Sequence, residues 1–311
     1  MIIKNPPSTP GPQGSESHTL SAYLGLHGAV LLFGVAGLFG KWIEAPALVI
    51  VFGRVLVATV AFSLLPLVWR TAEPQRTQPL ARSERLLLAA CGALLALHWS
   101  TFFAAIQVST VAVGLLSYST APLFVVLLEP WVFRERFSPW ALWAAIFCMG
   151  GVALMVDAWT FDSTTLIGTL WGVASGLTFA ILSLFNRSLA QRHSSIRIAF
   201  HQDAWATVTL ALILPLAWQP AWRAPGVNDL LLMLLLGVFC TALAHSLFIR
   251  AIREFKAGVA AIASALEPVY GIALAAVLLG ETPSRRILAG GAVILMAVTW
   301  ATLKKKSLTG N

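Results

Sequence analysis

Charge is what this sequence has least of. Its 311 residues include only 13 Asp and Glu and 21 Lys and Arg, so 11% of the chain is charged, while 58% is hydrophobic. The mean hydropathy is +0.80. A water-soluble globular protein of this length needs far more polar surface to cover its core, so that class is excluded. Cysteine is scarce too. Cys91, Cys148 and Cys240 lie singly inside apolar runs with no CxxC spacing; they read as small packing residues rather than a disulfide framework or a metal site. No GxxxxGK[ST] stretch is present and the apolar runs use nearly all of the chain, so an ATP-driven pump has nothing to hold its nucleotide. Neither HExxH nor GxSxG occurs, which argues against an intramembrane enzyme. The net charge of +8 comes without a basic patch interleaved with aromatic contacts, so nucleic acid is not an expected partner.

Long hydrophobic runs are what the chain does have. They fall at about 22–42, 46–69, 86–107, 110–133, 138–157, 166–188, 196–218, 229–250, 257–280 and 286–303. Each is near the roughly 20 residues that a helix needs to cross a hydrocarbon layer about 30 Å thick. The runs are continuous and Leu/Ala-rich rather than alternating, which predicts helices and not a β-barrel. Polar breaks separate them: Arg70 to Arg85, Arg134-Glu135-Arg136, and Pro225 to Asp229. Residues 1–21, rich in Pro, Ser and Gly and unlike a signal peptide, read as a disordered tail, and 304–311 as a short basic tail. With the N-terminus in the cytoplasm, 16 of the 21 basic residues fall on cytoplasmic segments, four outside (Lys41, Arg223, Arg285, Arg286) and one, Arg54, within a span. The positive-inside bias therefore places both termini in the cytoplasm.

The two halves resemble each other. An offset of 146 residues brings Ala121-Pro122 onto Glu267-Pro268, Glu135 onto Glu281, Ser138 onto Ser284, and Ala105-Ile106-Gln107 onto Ala251-Ile252-Arg253. An offset of 149 aligns Pro66-Leu67-Val68-Trp69 with Pro215-Leu216-Ala217-Trp218, a three-residue indel within the repeat. Five spans per half is an odd number, so the second copy crosses the bilayer in the opposite sense to the first. The expected fold is an all-α membrane protein of ten transmembrane helices in two inverted five-helix repeats, 22–157 and 166–303. Twin bundles of opposite topology can exchange conformations and open a shared cavity to each side in turn. The alternative is that duplication only built a large helical scaffold.

Val113 to Glu135 and Val259 to Glu281 share small residues, a mid-helix Pro and an acidic residue at the helix end, and a basic residue stands early in the second span in Phe52-Gly53-Arg54. This pattern resembles the EamA-type members of the drug/metabolite transporter superfamily, over about residues 22–303. The resemblance implies a ten-helix carrier of the bacterial inner membrane that exports small metabolites or amino acids. It also implies substrate contacts from the first, third, fourth, sixth, eighth and ninth spans. It does not name the substrate.

Charges inside spans are costly and normally face a partner or a wet cavity. Arg54 lies about eight residues inside the second span, and at offset 149 its counterpart is Asp203. Arg54 reads as an anion anchor or gate, or else as a cation tying carbonyls at a helix break; Asp203 reads as its counterpart of opposite sign, or as a partner of cytoplasmic arginines. Glu267 precedes Pro268 near the middle of the ninth span, where the proline opens the preceding turn and frees a carbonyl. A poorly solvated carboxyl group there is suited to taking up a proton during transport. Pro122 supplies the matching kink of the first repeat without the carboxylate, since Ala121 precedes it. Glu129, nearer a helix end, reads as a packing residue. His98 and His245 read as proton relays or as satisfied interhelical histidines. Trp99, Tyr118 and Tyr270, with Trp171 and Trp205, lie within spans and either line a cavity for amphipathic solutes or pack against helices and lipid. Gly168, Gly172 and Gly176 form a small-residue row on the sixth span that permits close helix contact. No metal or cofactor is expected. The expected partners are a small-molecule solute and the lipid bilayer, in a monomer or weak homodimer. Uptake, or uncoupled passage, is the alternative to export.

Overall fold

Backbone hydrogen bonds have no water to turn to inside a bilayer, and a chain this apolar answers with helices. A computed structural model describes residues 16–68, 79–133, 139–254, 263–264 and 266–308, and among them there is no strand. The helices are α1 (Glu16–Trp42), α2 (Ala47–Val68), α3 (Arg82–Val108), α4 (Val111–Tyr118), α5 (Ala121–Phe133), α6 (Pro139–Met155), α7 (Thr164–Ala190), α8 (Ser195–Ala217), α9 (Val227–Gly237), α10 (Ala244–Glu254), α11 (Glu267–Leu278) and α12 (Arg285–Leu308); a π-helical segment, Val238–Leu243, joins α9 to α10. Residues 69–78 of the polar linker before Arg85, residues 134–138 with the Arg134-Glu135-Arg136 break and Ser138, and residues 255–262 and 265 lie outside the described residues, as do 1–15 and 309–311.

Among the described residues, six stretches are long and apolar enough to cross a membrane: Tyr23–Trp42, Ala47–Leu64, Arg82–Val108, Val111–Phe133, Thr164–Ala190 and Val227–Ala251. Leu142–Met155 and Glu267–Leu278 are shorter apolar helices. The protein is an all-helical, multi-pass membrane protein. Two ends differ from the expected tails. Helix α1 begins at Glu16, inside the stretch read as tail, because the last Pro and Gly before it are Pro12 and Gly14 and nothing stops the helix growing back from the span. Helix α12 runs on to Leu308 through Lys304 to Lys306, and lysine is both a good helix former and favourable at a helix C-terminus.

Hydroxyl caps set several helix starts. Thr110 accepts from Val113 N–H at 3.2 Å, Ser163 from Leu166 N–H at 3.1 Å and Ser194 from Arg197 N–H at 3.3 Å. The starts of α3 and α9 are built alike. Glu84 accepts from the Ala81 N–H at 3.0 Å, and Asp229 accepts from the Gly226 N–H at 2.9 Å.

The packing interleaves the two halves. α2 packs on α8 and α6 on α12, each pair joining equivalent helices. The other main pairs come in matched exchanges: α3 on α7 with α1 on α10, α3 on α8 with α2 on α9, and α4 and α5 on α7 with α1 on α11. Glycines allow the last two contacts. A Cβ on Gly34 would meet the Glu267 carbonyl of α11 at 2.9 Å, and Cβ atoms on Gly168, Gly172 and Gly176 would drive into Ser109, Ser117 and Thr120. The small-residue row of α7 is therefore the surface on which α4 sits.

Two equivalent helices are broken at the same place. The turn Ser119–Thr120 separates α4 from α5, and the helix restarts at Ala121; α11 starts at Glu267, the residue that the 146-residue offset aligns with Ala121. Hydroxyl groups add second bonds to backbone carbonyls at the first break. Ser119 Oγ donates to the Leu115 carbonyl at 2.8 Å and Thr120 Oγ1 to the Ser117 carbonyl at 2.8 Å.

Candidate functional site

A cavity with an empty volume of about 440 Å³, its mouth included, lies where the halves meet. Arg54, His98, His245 and Glu267 bring polar atoms to it; Phe33, Trp99, Phe102, Tyr118 and Phe179 form aromatic walls, with Ala36 and Leu95 completing the lining. The residues come from α1, α2, α3, α4, α7, α10 and α11, which are the six spans that the resemblance implied together with the second. Such a surface, mostly apolar with a few converging polar groups, is the usual make-up of a small-molecule site.

Arg54 is almost completely buried, with 1% of its surface exposed. Its Nε donates to Thr241 Oγ1 at 2.9 Å and its Nη2 to the Cys240 carbonyl at 3.1 Å. The guanidinium carbon stands 3.9 Å from the Trp99 ring centroid, a desolvated cation–π contact. Both oxygens belong to the π-helical segment, whose wider turn leaves backbone carbonyls without their regular partners. Thr241 Oγ1 passes on the same repair by donating to the Leu236 carbonyl at 2.9 Å. Arg54 thus ties a helix break, as one of its two sequence readings held, and it also lines the cavity. Of its five N–H donors, two are engaged among the described residues.

His98 is held on one side. Its Nδ1 lies 3.1 Å from the Ser175 carbonyl, and Ser175 Oγ donates to the His98 carbonyl at 3.1 Å. Its ring stacks obliquely among Phe179 at 5.1 Å and Tyr118 at 5.6 Å between centroids. His245 faces the Trp99 ring edge to face at 5.8 Å. Glu267 is 4% exposed, and no hydrogen bond to its carboxylate is found among the described residues. It opens α11, so its backbone forms the first turn of a helix whose N-terminal dipole favours an anion there.

Of the ten residues singled out from sequence, the structure brings Arg54, His98, Trp99, Tyr118, His245 and Glu267 to this cavity. Asp203 is fully buried directly behind it, 3.7 Å from His245. Pro122 and Pro268 stand at the two helix breaks without lining the cavity, and Tyr270 packs along α1 near Gly34. Trp171 and Trp205 are 44% and 43% exposed and face outward. Glu129 is paired with Arg187, whose guanidinium also lies over Phe133 at 5.0 Å. The aromatic walls Phe33, Phe102 and Phe179 were not singled out. The repeat carried a signal for them: the same offset of 146 pairs Phe33 with Phe179 and Phe102 with Phe248, and Phe248 touches both Phe33 and Phe179.

Comparison with known proteins agrees with this duplicated architecture. The sequence profile of the EamA-like transporter family matches residues 20–157 and again 166–303. The uncharacterized transporter YxxF of Bacillus subtilis is 23% identical over 275 residues, covering 88% of this chain and 86% of that protein. The pseudopaline exporter CntI of Pseudomonas aeruginosa is 25% identical over 261 residues, covering 84% of this chain and 88% of its own. A solved crystal structure superposes with a TM-score of 0.66 at 20% identity, covering 94% of this chain and 99% of the other; at that identity the likeness speaks for the fold alone.

Proposed function

The chain belongs to the EamA-like transporter family, and on that premise we propose that it is a secondary transporter exporting amino acids or related small metabolites across the bacterial inner membrane. The observation that carries this reading is the seam cavity itself. It holds a cation, Arg54, and a carboxylate, Glu267, without a hydrogen-bonded partner among the described residues, inside one aromatic chamber between the two halves. A zwitterionic solute with an apolar side chain matches those three features. Its carboxylate meets the remaining Arg54 donors, its ammonium group meets Glu267, and its side chain lies against the aromatic walls. Glu267 binds either that ammonium or a proton, and the competition between them exchanges solute for proton.

Alternating access follows from the repeats. Five spans per half, read as ten in all, make the second half cross the bilayer in the opposite sense, with both termini in the cytoplasm. The matched pairs of helices support this, because a motion that opens α1 and α11 at one end has an equivalent at α7 and α4 at the other. The name of the Pseudomonas relative, a pseudopaline exporter, supports the outward direction.

The test is flux of a panel of amino acids and small metabolites through the purified protein in liposomes, with and without a pH gradient. The reading expects at least one zwitterion to move faster than through empty vesicles, and Glu267→Gln to remove its response to the pH gradient while leaving exchange. Failure of every panel member to move would remove the exporter reading. An unchanged response to the gradient in E267Q would clear Glu267 of any part in coupling.

A further inference from the structure

Behind the cavity lies a second carboxylate that the substrate site does not use. Asp203, in α8, has no exposed surface, and neither of its oxygens has a hydrogen-bond partner among the described residues. Its Oδ2 is 3.7 Å from Nδ1 of His245, just beyond hydrogen-bond reach, and that nitrogen is likewise buried and without a partner. Two facing polar groups that water does not reach, each missing its partner, lack only a shared proton drawn between them.

We infer that Asp203 and His245 form a proton-binding pair, separate from Glu267, that loads one proton from the cavity and reports its loading to Arg54. The position of the two side chains supports this order. His245 lines the cavity and Asp203 does not, so the imidazole stands between the solute chamber and the carboxylate. With Nδ1 turned to Asp203, Nε2 is the nitrogen left for the cavity. A proton from the cavity binds Nε2; the proton on Nδ1 then crosses to Oδ2. His245 is neutral again, with its proton on Nε2, and Asp203 has become a carboxylic acid. One proton has been taken up and no other bond has changed.

Arg54 feels the result. Its charge is close enough to Asp203 for the two to interact, and it shares the Trp99 ring with His245. Loading the pair removes the counter-charge of Arg54, which leaves its free N–H donors to an anionic group in the cavity. The surroundings leave this assignment intact. α2 presents Arg54, and the π-helical segment presents Cys240 and Thr241, both bonded to Arg54. From α3, His98 is bound to Ser175 and Cys91 faces Gln202; from α7, Asn186 is bonded to Gln202. Glu267 of α11 and Tyr118 of α4 share the cavity with the imidazole.

This inference goes beyond the transport reading and does not depend on which solute moves. The full chain, labelled with nitrogen-15 in its six histidines and reconstituted in lipid nanodiscs, is titrated by NMR, with His245→Gln identifying the signal. The expected result is that Asp203→Asn displaces the His245 titration by about tenfold or more in proton concentration, while Glu267→Gln leaves it in place. An unchanged His245 titration in D203N overturns the pair. Should D203N fail to fold, the infrared carboxyl band that shifts in Asp203→Glu identifies Asp203; its displacement in H245Q supports the pair, and a band unmoved in H245Q overturns it. A silent flux assay alongside an Asp203-dependent His245 titration removes the transport reading and leaves the proton pair standing.

Discussion

Replacing Arg54 by methionine keeps a long apolar stem in place and removes the guanidinium that α2 extends into the π-helical segment. The structure prices that removal from three contacts. Two hydrogen bonds from an ionised donor, to Thr241 Oγ1 at 2.9 Å and to the Cys240 carbonyl at 3.1 Å, are lost together with the Trp99 contact at 3.9 Å. Each charged hydrogen bond contributes about 1.5–3 kcal/mol, and a desolvated cation–π contact about 2 kcal/mol. Interhelical hydrogen bonds in membranes measure lower, about 0.6 kcal/mol on average, because the unfolded reference also finds partners. The buried Asp203 carboxylate, whose charge the Arg54 cation favours without an ion pair between them among the described residues, loses that support as well. The expected loss for R54M is therefore about 2–4 kcal/mol, carried mainly by the two hydrogen bonds and the ring contact. Asp203→Asn in the R54M background should then recover about 1–2 kcal/mol, because the two removals are not independent. Denaturant unfolding in mixed micelles, followed by circular dichroism, reads all four corners of the cycle. A loss below about 1 kcal/mol for R54M, or a double variant whose loss equals the sum of the singles, refutes the reasoning.

Three further outcomes follow from other parts of the molecule. Gly172→Val should abolish the folded monomer seen by size-exclusion chromatography, since any Cβ at 172 drives into Ser117 of α4; Ser117→Gly in the same chain should partly restore it. Glu281→Gln weakens the acceptor for the Val111 N–H, 3.0 Å away at the start of α4, and should lower stability by about 0.5–1 kcal/mol, as loss of a helix cap does; no change in unfolding would show that the contact is idle. Asp157, in the loop after α6, is held below its ordinary carboxyl value of 3.8 by the Ser163 hydroxyl and by the Ala158 N–H, both of which donate to its carboxylate. A carboxyl lowered in the folded chain adds stability above its unfolded value and loses it as pH falls through the folded one. Ser163→Ala should move the Asp157 titration, read by carbon-13 NMR, back toward 3.8, and an unmoved midpoint would contradict the assignment.

Much of the fold was legible because bilayer physics leaves a chain few choices. The apolar runs and the repeated Pro at offset 146 are one-dimensional signals; they gave the all-helical, duplicated chain, in which six stretches among the described residues are long and apolar enough to cross a membrane, and the helix breaks fall where Pro122 and Pro268 mark them. The two tails were less legible. Composition marked them as polar, yet a helix once nucleated by its apolar span extends until a residue stops it, and Glu16 to Leu20 and Lys304 to Leu308 hold no such residue. The site was legible in its charged and cyclic members, because a buried Arg, Glu or His stands out against Leu and Ala. What the sequence withheld was partnership. That Arg54 reaches the Cys240 carbonyl depends on a π-helical turn with no sequence signature of its own, and Phe33 and Phe179 are two among 17 phenylalanines until the repeat is used to pair them.

The central claim is that the two halves are oppositely oriented copies sharing one solute chamber. It is tested most directly at the equivalent starts of α3 and α9, where Ser83 and Asn228 are exposed one residue after the first turn begins. Ser83→Cys and Asn228→Cys, each made in a chain whose three buried cysteines are replaced, are treated in sealed, right-side-out vesicles with a membrane-impermeant maleimide. The account predicts that N228C reacts in intact vesicles and S83C only after the membrane is opened. Reaction of both from the same side would mean that the halves point the same way, and no shared chamber between inverted twins could then be drawn.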